Sequence, residues 1–458
     1  MNGKRPNIIF VFSDQQRADS CGCYGQKMDI TPNLDKMAEE GVIFDNAFTC
    51  QPICGPARAA IMTGKYPTET NNYVNKKCIP MNEKTIAHYL SEAGYEVGYI
   101  GKWHLASHSG KEGPGQAVLD CDIDPVPPER RGGFKDYWLA SDTLEYTSHG
   151  YDGHMFDIDG NKKEFPEGKY RVDAQTDWVL DYLESRGRQR PFFLFVSYLE
   201  PHHQNDHDHF EGPRGSKEKF KGFEVPGDLN GAGGDWKEEY ADYLGCVNSL
   251  DHNLGKIIDK VEGLGIKDET VIIYTSDHGC HFKTRNSEYK RSCHEASIKI
   301  PMVISGVGFT GNKRIKDIVS LIDIPPALLN IAGIEIPPHM QGRKLQDIIS
   351  GNCPGWPEDA FIQISESQIG RAIRTQRWKY SVKAPGLKDY QNMDNKNSPI
   401  YIEDFLYDLK NDPNERNNLV EDPKYSDIRE NLKNILLRRI KEKENQEPDI
   451  RVHNNGSK

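Results

Sequence analysis

The feature that most constrains this chain is a series of short, continuous apolar runs that alternate with amphipathic stretches. The runs include NIIFVFS, PFFLFVSYL and TVIIYTS, and the stretches include TPNLDKMAEEG, VDAQTDWVLDYLES and EEYADYLGCVNSLDHNLGKIIDKVEG. A continuous apolar run of this length is typical of a strand buried on both faces, whereas a helical apolar period between start and stop signals is typical of a helix. The alternation predicts an α/β fold in which helices cover both faces of a sheet.

The pattern changes at about Gly351, where shorter segments such as FIQIS and DFLYDLKND replace the long runs. We therefore predict a larger α/β domain over residues 1–350 and a smaller C-terminal α+β subdomain over residues 351–458. The subdomain is expected to hold a small antiparallel sheet, the charged helix DIRENLKNILLRRIKEKE and a disordered tail. Residues 110–161 are rich in Gly, Pro and charge, which predicts a long insertion over one edge of the main sheet.

Composition narrows the class of partner. A formal net charge of -11 leaves no basic surplus to neutralise phosphates, so we expect no nucleic-acid partner. No run of about 18 apolar residues occurs, so no membrane partner is expected. The opening MNGKRPNIIFVFSDQQ passes into a strand-like run without a small-residue cleavage site. We expect a cytoplasmic protein, or a periplasmic or secreted one if a leader has been removed.

The cysteines favour reduced thiols over a disulfide framework, because the ten of them are scattered without a repeated spacing. Two Cys-His pairs, Cys280-His281 and Cys293-His294, raise the alternative of a zinc site. Structural zinc sites normally show tighter ligand pairs, so this alternative is the weaker one.

Polar residues follow the predicted strands at the points where the strands end, which is where the reactive positions of an open α/β sheet lie. Asp14 and Gln15 follow NIIFVFS, and Asp277 and His278 follow TVIIYTS. Carboxylate and amide oxygens suit a hard divalent cation such as calcium or magnesium, while the imidazole shifts the preference slightly toward manganese or zinc. These four residues are therefore candidate ligands of one divalent metal.

A second set of strand-end and loop residues supplies cationic and hydrogen-bonding groups: Arg58, Lys102, His104, His202 and Lys290. A metal surrounded by such groups is what a tetrahedral oxyanion, sulfate or phosphate, needs when charge builds on its oxygens. The further histidines His207 and His209 are interpreted as part of a polar surface loop.

These residues resemble the formylglycine-dependent type I sulfatases of the alkaline phosphatase superfamily. The family's Cys-x-Pro-x-Arg signature, followed by an apolar stretch and Thr-Gly, is matched in CGPARAAIMTG by Cys54, Pro56, Arg58, Thr63 and Gly64. A second signature is matched by Gly94-Tyr95 and by Gly101-Lys102 with His104. The closing YDLKNDPNERNNL is typical of the family's C-terminal subdomain, so the resemblance covers nearly the whole chain.

The resemblance implies a large central sheet, mixed but mostly parallel and flanked by helices, with the catalytic site in residues 1–350. It also implies that a maturation enzyme converts Cys54 to 3-oxoalanine (formylglycine), whose hydrate is the nucleophile. The implied metal is most often calcium, with magnesium or manganese as alternatives. Its implied ligands are Asp14, Gln15, modified Cys54, Asp277 and His278.

The resemblance further implies roles for the remaining residues. Arg58 would hydrogen-bond the modified side chain, and Lys102 and Lys290 would hold the sulfate oxygens. Asp277 would accept the proton of the attacking hydroxyl. His202 would protonate the leaving alcohol, and His104 would help to break the sulfated intermediate.

The predicted activity is hydrolysis of a carbohydrate sulfate, on a mono- or oligosaccharide that could derive from a glycosaminoglycan. Gln15 and His278 stand where many family members carry Asp and Asn, and the same pair occurs in relatives that hydrolyse phosphonate monoesters or phosphodiesters. A phosphonate or phosphodiester hydrolase is therefore an alternative, and an inactive binding protein that retains the fold is another. Surface roles are favoured over a sugar pocket for five further residues: Tyr146, His149, His154, Arg371 and Arg374.

Overall fold

A computed structural model describes residues 5–108, 119–351, 353–386 and 395–452. The strands are β1 (Asn7–Ser13), β2 (Val42–Phe48), β3 (Glu96–Lys102), β4 (Tyr137–Ser141), β5 (Ser148–His149), β6 (Asp152–Asp157), β7 (Lys162–Glu164), β8 (Phe192–Ser197), β9 (Thr270–Ser276), β10 (Met302–Gly306), β11 (Lys313–Ser320), β12 (Asp359–Ile364), β13 (Gly370–Thr375), β14 (Trp378–Lys383), β15 (Ile400–Asp408) and β16 (Asp449–Arg451). The α-helices are α1 (Pro32–Glu40), α2 (Cys54–Thr63), α3 (Pro67–Thr70), α4 (Ile86–Glu92), α5 (Leu144–Thr147), α6 (Arg171–Ser185), α7 (Ser216–Phe220), α8 (Trp236–Gly263), α9 (Glu295–Ile298), α10 (Ile324–Ile331), α11 (Gln346–Ile349) and α12 (Ser426–Glu444).

The larger sheet follows the order β11-β2-β10-β9-β1-β8-β3-β4-β6-β5, with β7 paired to β6. The five central strands β9, β1, β8, β3 and β4 run parallel to one another. Antiparallel pairs follow on both sides, from β9 to β10 and β2 and from β4 to β6. The mixed, mostly parallel sheet implied by the sequence is confirmed.

Helices cover both faces of this sheet because the central strands carry apolar side chains on both sides. Ile8 and Phe10 of β1 point into a core that includes residues of α2, α4 and α10. Ile9 and Val11 point into the opposite core, which includes residues of α1, α6 and α8. Burial on both faces explains why the strands read as continuous apolar runs. No helix among the described residues is both long and apolar enough to cross a membrane.

The described part of the predicted insertion adds strands to the sheet, where the sequence suggested loops. β4 pairs in parallel with β3, and β6 pairs antiparallel to β4. Trp138 of β4 stacks against Tyr99 of β3 with ring centroids 5.4 Å apart, so a five-residue aromatic strand is enough to extend the buried sheet. Residues 110–118 of the predicted insertion lie outside the described residues.

A second sheet of five strands follows the order β12-β13-β14-β15-β16, and α12 packs on it through Leu432, Leu436 and Ile440. β12 to β15 are antiparallel, but β16 runs parallel to β15. This corrects the wholly antiparallel sheet predicted for the subdomain: α12 acts as a crossover helix that returns the chain in the direction of β15. The predicted disordered tail contains β16, and residues 453–458 lie outside the described residues.

Candidate active site

The candidate metal ligands meet because β1 and β9 are parallel neighbours in register, with Ser13 opposite Ser276. Both strands end at the same level, so the residues that follow face each other. The backbone N–H of Gln15 donates to Asp277 Oδ1 over 2.9 Å. His278 Nε2 lies 3.7 Å from Asp14 Oδ1 and 3.6 Å from Asp277 Oδ1. All four side chains are buried.

Cys54 joins this group from the first residue of α2. Its thiol donates to Asp14 Oδ1 over 3.4 Å and lies 3.3 Å from His278 Nε2. The preceding residue, Ile53, is extended, so the backbone turns into the helix at the cysteine itself. The Cys-Gly-Pro segment therefore forms the first turn of α2 in the folded protein, and it places the thiol against the two strand ends.

The donor set fits a divalent cation. Ligand atoms of Asp14, Cys54, Asp277 and His278 lie within 4.8 Å of one another. Asp277 Oδ2 is buried and has no hydrogen-bond donor among the described residues, although an ionised carboxylate oxygen in such a place needs one or a metal. Gln15 has a left-handed backbone with φ of 69°, a strained conformation of a kind that concentrates at functional sites.

Two lysines lie at this site, one in contact with the thiol and one in contact with Asp14. Lys290 Nζ donates to Cys54 Sγ over 2.8 Å and also contacts His202 Nε2 at 3.0 Å. Lys102 Nζ lies 2.9 Å from Asp14 Oδ2 and 3.1 Å from Glu145 Oε2. Both lysines are buried, so two cationic groups converge where an anion attached to residue 54 would sit.

Arg58 lies one helical turn after Cys54 on α2 and is buried. Its guanidinium donates to Asp14 Oδ2 over 3.0 Å, to Ser197 Oγ over 2.7 Å and to the carbonyl of Lys102 over 2.8 Å. It therefore holds Asp14 and the ends of β3 and β8 in place. The resemblance implied that Arg58 would hydrogen-bond residue 54. In this structure its hydrogen bonds go instead to Asp14, Ser197 and Lys102.

The buried charges set different proton affinities for the two carboxyl groups. Burial and the neighbouring Asp14 raise the pKa of Asp277. Burial and the neighbouring Cys54 act to raise the pKa of Asp14 as well. Lys102, His202 and Arg58 outweigh them and hold the pKa of Asp14 below its usual range. Burial raises the pKa of the Cys54 thiol, yet Lys290 and Lys102 outweigh it and lower that pKa. The site thus favours negative charge at Asp14 and at residue 54.

The two predicted catalytic histidines approach from separate loops. His202 is buried, and its Nδ1 lies 2.6 Å from the carbonyl of His203. Because a carbonyl only accepts, Nδ1 carries the proton and Nε2 faces Lys290. Burial and Lys290 lower the pKa of His202, so both disfavour its protonated form. His104 is half-buried, with a left-handed φ of 58°, and its side chain lies close enough to Cys54 to favour the thiolate.

Two acidic groups at the site had no sequence signal. Glu145, in α5, is buried and accepts from Lys102. Glu366 belongs to the turn after β12: it accepts from Arg291 Nε over 2.7 Å and from the backbone N–H of Asn75 over 2.7 Å. Asn75 in turn accepts from the N–H of Gly55 over 3.1 Å. The C-terminal sheet thus reaches both the Lys290 loop and the turn that carries Cys54.

Other candidate positions lie elsewhere. The Cys280-His281 and Cys293-His294 pairs do not form a metal-compatible cluster among the described residues, so the zinc alternative for them is unsupported. The favoured surface role is wrong for the two arginines of β13, because both are buried in ion pairs: Arg371 with Glu444 and Arg374 with Glu295. The other three residues, Tyr146, His149 and His154, are exposed or half-buried.

Comparison with known proteins decides the family. The sulfatase profile matches residues 6–334, and the profile of the N-sulphoglucosamine sulphohydrolase C-terminal region matches residues 287–443. The chain belongs to the sulfatase family. An ulvan-active sulfatase of Formosa agariphila is 28% identical over 96% of this chain and 81% of its own length. An N-acetylglucosamine-6-O-sulfatase of Bacteroides thetaiotaomicron is 26% identical over 97% and 88%.

A solved structure from Bacteroides thetaiotaomicron, determined in work on its metabolism of multiple glycosaminoglycans, has the same fold. It superimposes with a TM-score of 0.77 at 25% identity, over 96% of this chain and 97% of the other. The resemblance read from the sequence is therefore confirmed, and so is the predicted reaction class. This sulfatase is a sulfuric ester hydrolase with carbohydrate sulfatases among its relatives.

Proposed function

We propose that this sulfatase removes sulfate from a carbohydrate, a monosaccharide or short oligosaccharide, with formylglycine at position 54. The observation that carries the proposal is the position of the Cys54 side chain. It contacts the candidate metal ligands on one side and Lys290 on the other, with Lys102 close to Asp14. A nucleophile placed there has metal ligands beside it and cations around the oxygens of a bound sulfate.

The residues at the ends of β1 and β9 would hold the cation, which we propose to be calcium: Asp14, Gln15, Asp277 and His278, together with modified residue 54. Magnesium or manganese would satisfy much of the same donor set. When bound, the cation supplies positive charge that stabilises negative oxygens on the nucleophile and on the sulfate.

Formylglycine supplies a hydrated aldehyde, whose one hydroxyl attacks sulfur and whose other hydroxyl later expels sulfate and restores the aldehyde. A maturation enzyme has to produce it from Cys54. Asp277 accepts the proton of the attacking hydroxyl, because its carboxyl group lies within 4.8 Å of the Cys54 side chain. His104, beside residue 54, takes the proton of the second hydroxyl when the sulfated intermediate breaks.

Lys102 and Lys290 hold sulfate oxygens as the sulfur–oxygen bond to the sugar breaks. His202 delivers a proton to the departing sugar oxygen, so that an alcohol leaves in place of an alkoxide. In the structure His202 Nε2 faces the Lys290 ammonium over 3.0 Å. The Lys290 ammonium donates to that nitrogen and so holds the imidazole of His202 beside residue 54.

The carbohydrate class rests on relatives whose names state sugar substrates, an N-acetylglucosamine 6-sulfate and ulvan. A phosphonate or phosphodiester hydrolase is the second candidate, because Gln15 replaces a carboxylate with a neutral amide. The site is then one charge less negative; phosphonate monoesters and phosphodiesters carry one negative charge, as sulfate monoesters do, so charge alone excludes neither class of substrate.

One experiment separates the candidates, including the inactive binding protein. Purified protein whose conversion at residue 54 is verified by mass spectrometry is offered a panel of sulfated mono- and disaccharides, beside an aryl phosphodiester and an aryl phosphonate. The proposal expects turnover of at least one sugar sulfate with a kcat/KM above that of the phosphorus esters. Preference for a phosphorus ester would favour the second candidate. Complete inactivity together with an unmodified Cys54 in the native host would favour the binding protein.

A further inference from the structure

A second cluster of metal-ligating side chains lies outside the catalytic centre, where the loop after β8 meets the hairpin of β5 and β6. His149, Asp206 and His207 each offer one ligand atom, and these atoms lie within 4.8 Å of one another. The rings of His149 and His207 stack with centroids 4.2 Å apart and 11° between their planes. His207 forms an overlapping group with His209 and Glu211. We call these five residues the rim cluster.

The hydrogen bonds of the two stacked histidines resemble those of metal-bound histidines. Such a histidine usually uses one ring nitrogen for the metal and donates the other N–H to a carboxylate. His149 Nδ1 lies 3.1 Å from Asp152 Oδ1, and His207 Nδ1 contacts Glu211. His149 Nε2 lies 2.9 Å from Asp206 Oδ2. With both Nδ1 atoms engaged by carboxylates, zinc would replace the proton that His149 Nε2 shares with Asp206 Oδ2. The two rings would rotate out of their stack, so that the in-plane lone pair of each Nε2 points at the ion.

Asp206 is itself oriented. The side-chain amide of Gln204 donates to Asp206 Oδ1 over 2.7 Å and to the carbonyl of Glu145 over 2.8 Å, which leaves Oδ2 toward His149. A cavity of about 530 Å³, lined by His149, His207 and His209 among others, opens beside the cluster. An ion can therefore reach it from solvent.

We propose that the rim cluster is a second metal site, with a preference for zinc or a similar transition metal. Its ligands are His149 Nε2, His207 Nε2 and Asp206, which is three protein ligands, as in zinc sites that keep one coordination position open. Imidazole donors suit zinc, whereas calcium takes oxygen ligands, so the chemistry differs from that of the buried centre.

An ion at the rim cluster would join two segments that deliver catalytic-site residues. The loop that carries Asp206 and His207 begins at His202, and the segment that carries His149 begins at Glu145. Gln204 already links these segments through the Glu145 carbonyl. Zinc bound between His149 and His207 would fix the separation of the two segments, and their backbone amides would exchange with solvent more slowly.

The test uses full-length protein stripped of metal and refilled with excess calcium, so that the oxygen-rich centre is occupied. Zinc chloride is then titrated by calorimetry, and bound zinc is counted by elemental analysis. We expect one zinc per chain for the wild type and loss of that equivalent in the His149→Ala/His207→Ala double variant. His252→Ala removes an exposed histidine from α8 and should bind zinc as the wild type does. Asp206→Asn, a milder change, should weaken zinc binding at least tenfold, which keeps the proposal testable if the double variant fails to fold.

Hydrogen exchange gives the second readout. Zinc should slow exchange in residues 203–211 and 145–152 of the wild type and of His252→Ala, but not in variants that have lost the zinc equivalent. The proposal is wrong if calcium-filled wild type takes up no zinc, or if the rim variants keep the wild-type stoichiometry and affinity. Neither readout uses sulfate turnover, so the outcome is independent of the proposed substrate.

Discussion

The two candidate ion sites of this sulfatase differ in their surroundings. The catalytic centre is sealed: Asp14, Asp277 and His278 are 0% exposed, and Arg58 and Lys102 are paired with its carboxylates. In the rim cluster, the side chains of His149 and Asp206 are 34% and 46% exposed. A buried charge that loses its partner is costly, whereas an exposed ion pair contributes little. Removing one member of a buried ion pair in the centre should therefore lower the free energy of unfolding more than a substitution in the rim cluster does.

The largest expected effect is at residue 54. Cys54→Ala should abolish turnover of sugar sulfates while leaving the fold intact, because it removes the nucleophile but only a small side chain. Cys50→Ala, at another buried cysteine of the same segment, is the control and should stay active. Activity is measured as sulfate release, and folding by thermal denaturation. Substantial turnover by Cys54→Ala would refute the formylglycine mechanism.

The next effect separates proton delivery from sulfate binding. A sugar hydroxyl must be protonated as it leaves, whereas nitrophenolate leaves almost unaided, and general acid catalysis contributes about 10²–10⁴-fold where it is needed. His202→Ala should therefore lower kcat/KM on a sugar sulfate by that factor and on nitrophenyl sulfate much less. Lys102→Ala should slow both substrates comparably. If His202→Ala loses equal activity on the two substrates, His202 is not the general acid, and His203 or His104 becomes the candidate. His203→Ala would then be assayed in the same way.

Removing the metal should affect stability as well as turnover. Without a cation, Asp14 and Asp277 remain as neighbouring buried carboxyl groups, and ligand binding to the native state alone stabilises it by about 2.7 kcal/mol at a hundredfold excess over Kd. Thorough chelation should lower both activity and the unfolding temperature, and calcium should restore both. If chelation changes neither activity nor the unfolding temperature, the proposal of a bound divalent cation is wrong.

A smaller effect is expected where the C-terminal sheet supports the site. Glu366→Gln removes the charge that pairs with Arg291, next to Lys290, and should lower kcat about tenfold through misplacement of that lysine. Glu358→Gln, an exposed glutamate on the same subdomain, is the control and should not change kcat. If Glu366→Gln lowers only the unfolding temperature and leaves kcat unchanged, Glu366 has a structural role alone.

The smallest effect should be at the rim. His149→Ala, measured by denaturant unfolding without added zinc, should change the free energy of unfolding by no more than about 0.5 kcal/mol, because its ion pairs are exposed. His278→Ala, at a fully buried position of the centre, should cost several times more. Similar losses for the two variants would contradict the contrast between a sealed centre and a solvated rim.

The sequence was sufficient to predict the residues of the catalytic centre, but not the residues that hold them in place. Asp14, Lys102 and Asp277 lie at the ends of parallel strands, so the apolar runs alone indicate that they meet. Glu145 and Glu366 could not be predicted, because each reaches the site from a segment whose position depends on tertiary packing. The strand β4 was missed because five residues carry too little periodicity, and the parallel β16 because no local signal encodes the direction of a three-residue strand.

The histidines of the loop after β8 also have a contact that the sequence could not predict. His207 and His209 were interpreted as surface residues, and both are exposed. The sequence does not reveal that His149, more than fifty positions earlier, stacks on His207. Contacts between segments that lie far apart in the sequence are seen only once the fold is known.

The central claim is tested most directly by comparing turnover with the extent of conversion at residue 54. Protein is produced with and without a formylglycine-generating maturation enzyme, the converted fraction is measured by mass spectrometry of the peptide that contains residue 54, and sulfate release from N-acetylglucosamine 6-sulfate and related sugar sulfates is assayed on each batch. The account predicts that turnover of the preferred sugar sulfate rises in proportion to the converted fraction and vanishes when conversion is absent. Equal turnover by converted and unconverted protein would contradict it.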